Sequence, residues 1–240
     1  MTDHLALTRL LQLCSANLPI GGFAFSQGLE SAIEQGWISN KSDLQNWVST
    51  TLAEAMSNTD LLLLYKQRQA ISQLDAASFA NNEDLICATR ETSEILMAEK
   101  AIGSALLKLL RNLEFSSGAA TLEWLANHQK LSYISSFAMA SYLFELDIEM
   151  TLTGFAWAFV DSQVAAGIKL IPLGQTDGQN LLFTLTQLIP KCVGHCLLNN
   201  NSTCADAAQS LGITNIGQSL TGLAIASSKH EQQYSRLFRS

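Results

Sequence analysis

The chain contains 240 residues, of which 48% are hydrophobic and only 15% are charged, and its formal net charge is -7. The length suits one large domain or two small ones, and the acidic balance argues against a general nucleic-acid binder, because such proteins bring basic surface to phosphate. Soluble chains usually carry about 25% charged residues, so the low charge predicts apolar surface that is reserved for protein–protein contacts.

Helical periodicity dominates the apolar pattern from the N-terminus onward. Leucines recur along residues 5–13, Pro19–Gly22 interrupts the chain, Ser26 can cap a second helix, and a third helix begins near Asn40. Alternating strand patterns are absent. The sequence therefore predicts an all-α, single-domain bundle of about ten helices. The later helices are predicted at residues 57–75, 83–112, 119–127, 130–146, 150–171, 175–199 and 213–226.

No repeat, linker or low-complexity segment divides residues 1–226, which we interpret as one all-helical domain. Residues 227–240 form a polar tail with few large apolar side chains. Alone, such a tail cannot bury enough surface to offset its ordering entropy. We therefore expect a flexible tail that stays mobile until a partner covers it.

The cysteine usage and the N-terminus favour a cytoplasmic protein. Five cysteines without regular spacing fit free thiols in a reducing compartment better than a disulfide framework. The leucine-rich start carries Asp3 and Arg9, which do not suit a signal peptide. The most apolar stretch, Gly154–Val160, is too short to span a membrane, so no membrane association is predicted.

Common catalytic signatures are missing from the sequence. It contains no GxxxxGK[ST] phosphate loop and no GxSxG elbow. His230-Glu231 begins like HExxH, but Tyr234 stands where the second zinc ligand would be. We predict a protein that is not an enzyme and that has no cofactor, with an enzyme of unfamiliar site as the remaining alternative.

One cluster has residue types that bind metals. Cys192 and Cys196 would share a helix face, and His195 would lie one turn from Cys192. Thiolate and imidazole suit nickel or zinc, but three ligands without a fourth make a poor structural site. Because free cysteines are commonly buried, we favour core packing over a metal site here.

Three segments carry a family resemblance. Residues 18–30 read LPIGGFAFSQGLE, residues 165–179 read AAGIKLIPLGQTDGQ, and residues 226–240 read ASSKHEQQYSRLFRS. In order and approximate spacing they resemble the signatures of the urease accessory protein UreF family. We refer to them as the first, second and third motifs.

The resemblance implies an all-helical, usually dimeric scaffold that helps to load nickel into urease. Proteins similar to UreF bridge UreD, also called UreH, and the GTPase UreG, and the assembly acts on apo-urease. The implied function is therefore metallocentre assembly through partner binding. An alternative is that the protein regulates GTP hydrolysis by UreG, as a trans-acting arginine such as Arg236 or Arg239 would do.

The first two motifs each allow a structural and a functional interpretation. Gly21 and Gly22 permit a tight loop, Phe23 and Phe25 can anchor it, and Glu30 would favour the positive end of the next helix. In the second motif, side chains after Gly174 can cap a helix at a corner. The functional interpretation makes these residues partner-binding: Gly21, Gly22, Phe23, Glu30, Lys169, Gln175, Thr176 and Asp177.

The third motif favours function over structure. Its aromatic and arginine side chains are of the types that anchor interfaces, and a free end would leave them exposed. We predict that this tail orders against UreD. The predicted contacts are Lys229, His230, Glu231, Tyr234, Ser235, Arg236, Leu237, Phe238 and Arg239.

Overall fold

The computed structural model describes residues 4–115, 121, 123–124, 127–128, 130–201, 216–217 and 220–239, with no description of the side chains of residues 199–201. Across these residues the regular structure is helical and no strand is present, which confirms the all-α prediction. Five of the nine residues of the predicted helix at 119–127 and five of the fourteen of the one at 213–226 lie outside the described residues, and the described part of the latter is helical from Thr221. The helices are α1 His4–Leu13, α2 Leu29–Glu34, α3 Lys41–Thr50, α4 Leu61–Gln73, α5 Ala76–Ala88, α6 Ser93–Arg111, α7 Tyr133–Leu143, α8 Ile148–Leu170, α9 Gln175–Thr186, α10 Ile189–Asn201 and α11 Thr221–His230.

Side-chain caps fix where several of these helices begin. In five cases the residue before the helix accepts a hydrogen bond from a backbone N–H three residues later, which satisfies one of the free donors at a helix start. The capping residues are Asn40, Asp75, Thr92, Ser132 and Asp147.

The cap at Thr92 corrects one predicted helix. We expected one helix over residues 83–112, but α5 ends at Ala88 and α6 begins at Ser93. Thr92 has an extended backbone, and its hydroxyl accepts from the N–H of Ile95. Its capping bond therefore restarts the helix, which the apolar periodicity alone did not indicate.

A π-helical segment joins α3 to α4. Thr51–Asp60 forms this ten-residue segment, and the chain is helical without a break from Lys41 to Gln73. Long π-helical stretches are rare and often occur near functional sites. Here the segment ends at Asp60, whose carboxylate pairs with Arg90 at 2.7 Å.

The core forms around α4, α6, α7 and α8. Helix α7 packs against both α4 and α6, and α8 contacts α4, α9, α10 and the shorter α1 and α2. Phe137 of α7 is fully buried. A side chain at Gly103 would place its Cβ 2.3 Å from the carbonyl oxygen of Leu131, so glycine is what allows α6 to pass the start of α7 so closely.

Helices α9 and α10 together meet a length and composition criterion for a membrane span. The stretch Gln175–Leu198 passes it, with 33% of the window buried inside the protein. Helices that pack in soluble cores pass the same test, and α9 and α10 both pack against α8. This stretch is longer than the apolar run that we considered from the sequence.

Candidate functional site

Glu30 fastens the C-terminal segment, defined here as residues 231–239, to the first motif. Its Oε1 accepts the backbone N–H of Leu237 at 2.6 Å, and its Oε2 accepts that of Phe238 at 2.9 Å. The Nε2 atom of His230 lies 3.2 Å from the same Oε2. Glu30 does lie in the first turn of α2, but its carboxylate serves two residues that are over 200 positions away.

Glu94 of α6 forms a second anchor. Its Oε1 lies 3.3 Å from Nη1 of Arg236, and its Oε2 lies 3.7 Å from Nδ1 of His230. Glu94 and His230 are both buried, so His230 is placed between two acidic side chains. Arg236 also donates to the carbonyl oxygen of Glu231, which folds the segment back on itself.

Further contacts join the third motif to the other two. Ser227 and Thr92 share a hydroxyl hydrogen bond of 2.7 Å, and the N–H of Arg239 donates to the carbonyl oxygen of Ala24. Lys169, from the second motif, places its Nζ 5.8 Å from the centre of the Phe238 ring, within cation–π range. The three motifs therefore meet at one place in the fold.

The tail differs from our expectation of a mobile segment. Ala226 and Ser227 lie inside α11 and are buried, so the division that we predicted between them falls within a helix. His230 is buried and Phe238 is only 6% exposed. The physical reason is that Glu30 offers the tail backbone two strong acceptors, which the apolar count of the tail did not reveal.

The outer side of the C-terminal segment is aromatic, apolar and basic. Tyr234 is fully exposed, Leu237 is 64% exposed, and Phe23 of the first motif is 66% exposed. Ser235, Arg236 and Arg239 are also exposed. We call these six residues the outer surface. Of the two phenylalanines predicted to anchor the loop, Phe25 is buried and Phe23 is exposed.

Comparisons with known proteins decide the family. The sequence model of the UreF family matches residues 38–186. A protein named urease accessory protein UreF from Marinomonas sp. (strain MWYL1) is 38% identical over 242 residues, covering 100% of this chain and 96% of the relative. Proteins of the same name from Chromohalobacter salexigens and Pseudomonas putida (strain W619) are 37% and 35% identical, covering 99% and 100% of this chain.

The chain belongs to the UreF family. Its curated relatives are named urease accessory proteins. The full-length matches also extend beyond the family model, so they include the first and third motifs that meet at Glu30.

In this UreF chain, part of the second motif lies apart from the C-terminal segment. Gln175 and Thr176 are exposed at the start of α9, and Asp177 Oδ1 accepts from Nζ of Lys41 at 2.9 Å. The residue before α9 is Gly174, which has no side-chain cap, so the capping role predicted for this corner is not seen. These three residues have no described contact with the tail.

The glycines of the first motif support its turns. Gly21 has φ +71 before the short 3₁₀ turn Gly22–Ala24, and Gly28 has φ +83 immediately before α2. A Cβ at Gly28 would lie 3.3 Å from the backbone nitrogen of Ser227. Gly28 was not among the predicted site residues, although its place between Ser26 and Glu30 in the motif was a usable signal.

Sequence reasoning also missed a buried ion-pair network of the UreF chain. Arg90 donates to Asp60 at 2.7 Å and to Glu99 at 3.1 Å, and it is almost fully buried. Burial works against the charged guanidinium, but the two carboxylates outweigh it and raise the pKa of Arg90. The only signal for Arg90 was a weaker likeness of Arg90–Thr92 to the family's middle section.

The candidate metal residues lie on successive turns of α10. Cys192 and Cys196 are buried, and the thiol of Cys192 lies 3.8 Å from the carbonyl oxygen of Leu52. Burial raises the pKa of Cys192, which disfavours the thiolate that binds metals. His195 lies 3.4 Å from the hydroxyl of Ser57. Within the described residues, no group of three or more His, Cys, Asp or Glu side chains is placed to hold a metal ion.

Proposed function

We propose that this protein is a urease accessory protein that binds UreD, also called UreH, through the outer surface, and that bridges it to UreG during nickel insertion into apo-urease. The observation that carries the proposal is the way the C-terminal segment is held. Glu30 binds backbone N–H groups of the segment, so the side chains of Tyr234 and Leu237 stay free to face a partner.

The composition of the outer surface supports a protein partner. Tyrosine and arginine are enriched among interface residues that carry most of the binding energy. Aromatic and aliphatic side chains in water favour association because burial removes their apolar surface from solvent. A partner that fits this surface has an apolar recess for Tyr234 and Leu237 and acidic groups for Arg239.

Co-purification with UreD tests the proposal. We expect Tyr234→Ala and Leu237→Ala to weaken the complex by about 10- to 100-fold each, as truncation of buried interface anchors does. Phe183→Ala and Leu198→Ala are matched controls, because these side chains are 72% and 73% exposed on α9 and α10. Unchanged UreD binding by both outer-surface variants would falsify the proposed surface.

A regulatory effect on UreG is a second candidate function, and the structure distinguishes its two arginines. Arg236 is engaged by Glu94 and by a backbone carbonyl, whereas no contact is described for the exposed guanidinium of Arg239. Arg239 is therefore the better candidate for a group that reaches a GTPase. In the presence of this protein, the single-turnover rate of GTP hydrolysis by UreG should fall with Arg239→Ala and should change less with Arg236→Lys. Equal hydrolysis rates with and without the protein would contradict this role.

The oligomeric state is a prediction from the family resemblance, and the location is a prediction from the cysteine usage and the N-terminus. We propose a cytoplasmic homodimer, which the low charge content supports. Light scattering on the purified chain measures the dimer directly. A mass that corresponds to one chain at micromolar concentration would count against it.

A further inference from the structure

A cavity of about 170 Å³ lies where the first motif, α6, α8 and the C-terminal segment meet. Much of its wall is apolar and includes Leu18, Ile20, Ile102 and Phe155. Phe238 and Lys169 belong to the same wall, on the side of the C-terminal segment. The cavity therefore touches residues from all three motifs.

Phe238 closes part of this cavity and is held there from several directions. Its backbone N–H is bound by Glu30, and the next residue, Arg239, binds Ala24 through its own N–H. The ammonium group of Lys169 approaches the Phe238 ring from the second motif. The neighbouring Leu237 is 64% exposed while Phe238 is 6% exposed, so only one of the two side chains covers the cavity.

The cavity also contains polar groups that have no partner within the described part of the chain. The Nε atom of Arg90 is buried and makes no hydrogen bond there, although the rest of its guanidinium is paired. Asp161 lines the cavity without a described hydrogen bond, and burial raises the pKa of its carboxyl group. A buried polar atom such as Nε of Arg90 normally binds water, and a space of this size holds several water molecules.

We propose that the C-terminal segment is a lid over this cavity, with Phe238 as the side chain that closes it and Glu30 as the latch. Detachment of the segment from Glu30 would remove Phe238 from the wall and widen the access of solvent and small solutes to the cavity, whose wall also includes the exposed Phe23. Any protein that pulls the segment away would open the cavity. The inference concerns the isolated chain and does not depend on the identity of a partner.

Cys14 is a natural reporter for this opening. It lines the cavity, and its thiol lies 3.3 Å from the carbonyl oxygen of Gly154. Burial raises the pKa of Cys14 to about 12, so the reactive thiolate is scarce while the lid is closed. Cys192 is buried in α10 outside this cavity, so its labelling reports general unfolding instead.

The test is the rate of alkylation of Cys14 by iodoacetamide in the full chain, read from the Cys14 and Cys192 peptides by mass spectrometry. Phe238→Ala should raise the Cys14 rate about ten-fold or more, because local opening is far easier than global unfolding. Glu30→Gln keeps the ring but weakens the latch, so it should raise the Cys14 rate by up to about 100-fold, the change expected in the opening equilibrium of the segment. Leu237→Ala is the matched control and should leave the rate unchanged.

Two results would overturn the lid. One is a Cys14 rate that stays the same in both Phe238→Ala and Glu30→Gln, which means that the segment does not control access. The other is a parallel rise at Cys14 and Cys192, which means that Phe238 supports the core and does not cover a cavity. Circular dichroism of each variant checks that the helices persist.

Discussion

The replacement of Glu30 by glutamine tests the central contact of the structure. The carboxylate accepts N–H bonds from Leu237 and Phe238 at 2.6 and 2.9 Å, one on each oxygen. Glutamine keeps one oxygen and presents an NH₂ group at the other position. Whichever way the amide turns, one backbone N–H then faces another donor.

The expected magnitude follows from this geometry. A hydrogen bond to a charged group contributes about 1.5–3 kcal/mol, and a buried donor without an acceptor adds its own desolvation cost. We expect a loss of about 3 kcal/mol in the attachment of residues 231–239, or about 100-fold in their opening equilibrium. The helical core should persist, because the segment can detach while the rest of the fold stays intact.

Hydrogen exchange of the amides of Leu237 and Phe238 measures this effect directly. Exchange in Glu30→Gln should accelerate about 100-fold at these two positions, since exchange through local opening follows the opening equilibrium. Glu34→Gln is the matched control, because Glu34 lies on the same helix and is exposed. If the two amides exchange as slowly in Glu30→Gln as in the parent chain, the latch is wrong.

Three further predictions follow from other parts of the fold. Gly28→Ala should destabilise the protein by about 1–2 kcal/mol in urea unfolding, because a φ of +83 strains alanine and its Cβ would press on Ser227; an unchanged midpoint contradicts this. Burial alone would raise the pKa of Glu83, but hydrogen bonds from Lys100, Ser132 and Ser135 outweigh it and lower that pKa below 4.5. The carboxylate of Glu83 therefore stabilises the fold above pH 4.5, and this stabilisation is lost as the pH falls through the lowered pKa. The melting temperatures of Glu83→Gln and the parent should converge in acid. A difference between the two melting temperatures that stays constant with pH would refute this. Lys169→Met should cost less than about 1 kcal/mol, because the cation–π contact is exposed, and a larger loss on thermal melting would show that Lys169 does more than cover Phe238.

Local sequence patterns predicted much of the helical body. The cap at Asn40 and the turn at Gly21 were visible because each depends on residues within a few positions. The break before α6 was missed because one capping hydroxyl, that of Thr92, overrides a continuous apolar pattern. The π-helical segment was missed because its residues have ordinary helical propensities.

The candidate site was predictable as a set of motifs but not as an arrangement. Glu30 and Phe238 are separated by 208 positions, and nothing local in either segment indicates that one binds the backbone of the other. Glu94 was missed for the same reason, because its role follows from its contacts with Arg236 and His230 and it lies in none of the three motifs. The family resemblance pointed to the three segments, and only the fold showed that they meet.

The way in which the segment is held bears on how it would bind. Ordering a residue costs about 1–2 kcal/mol in backbone entropy. If the nine residues of the segment were mobile, their ordering would therefore reduce the free energy of binding by about 10 kcal/mol. Here Glu30, Glu94 and Ala24 hold the segment in the isolated chain through backbone atoms and one arginine, and Tyr234 and Leu237 remain available. A partner that recognises the segment in place therefore meets an ordered surface, and loss of the Glu30 contact should weaken its binding even though Glu30 itself is buried.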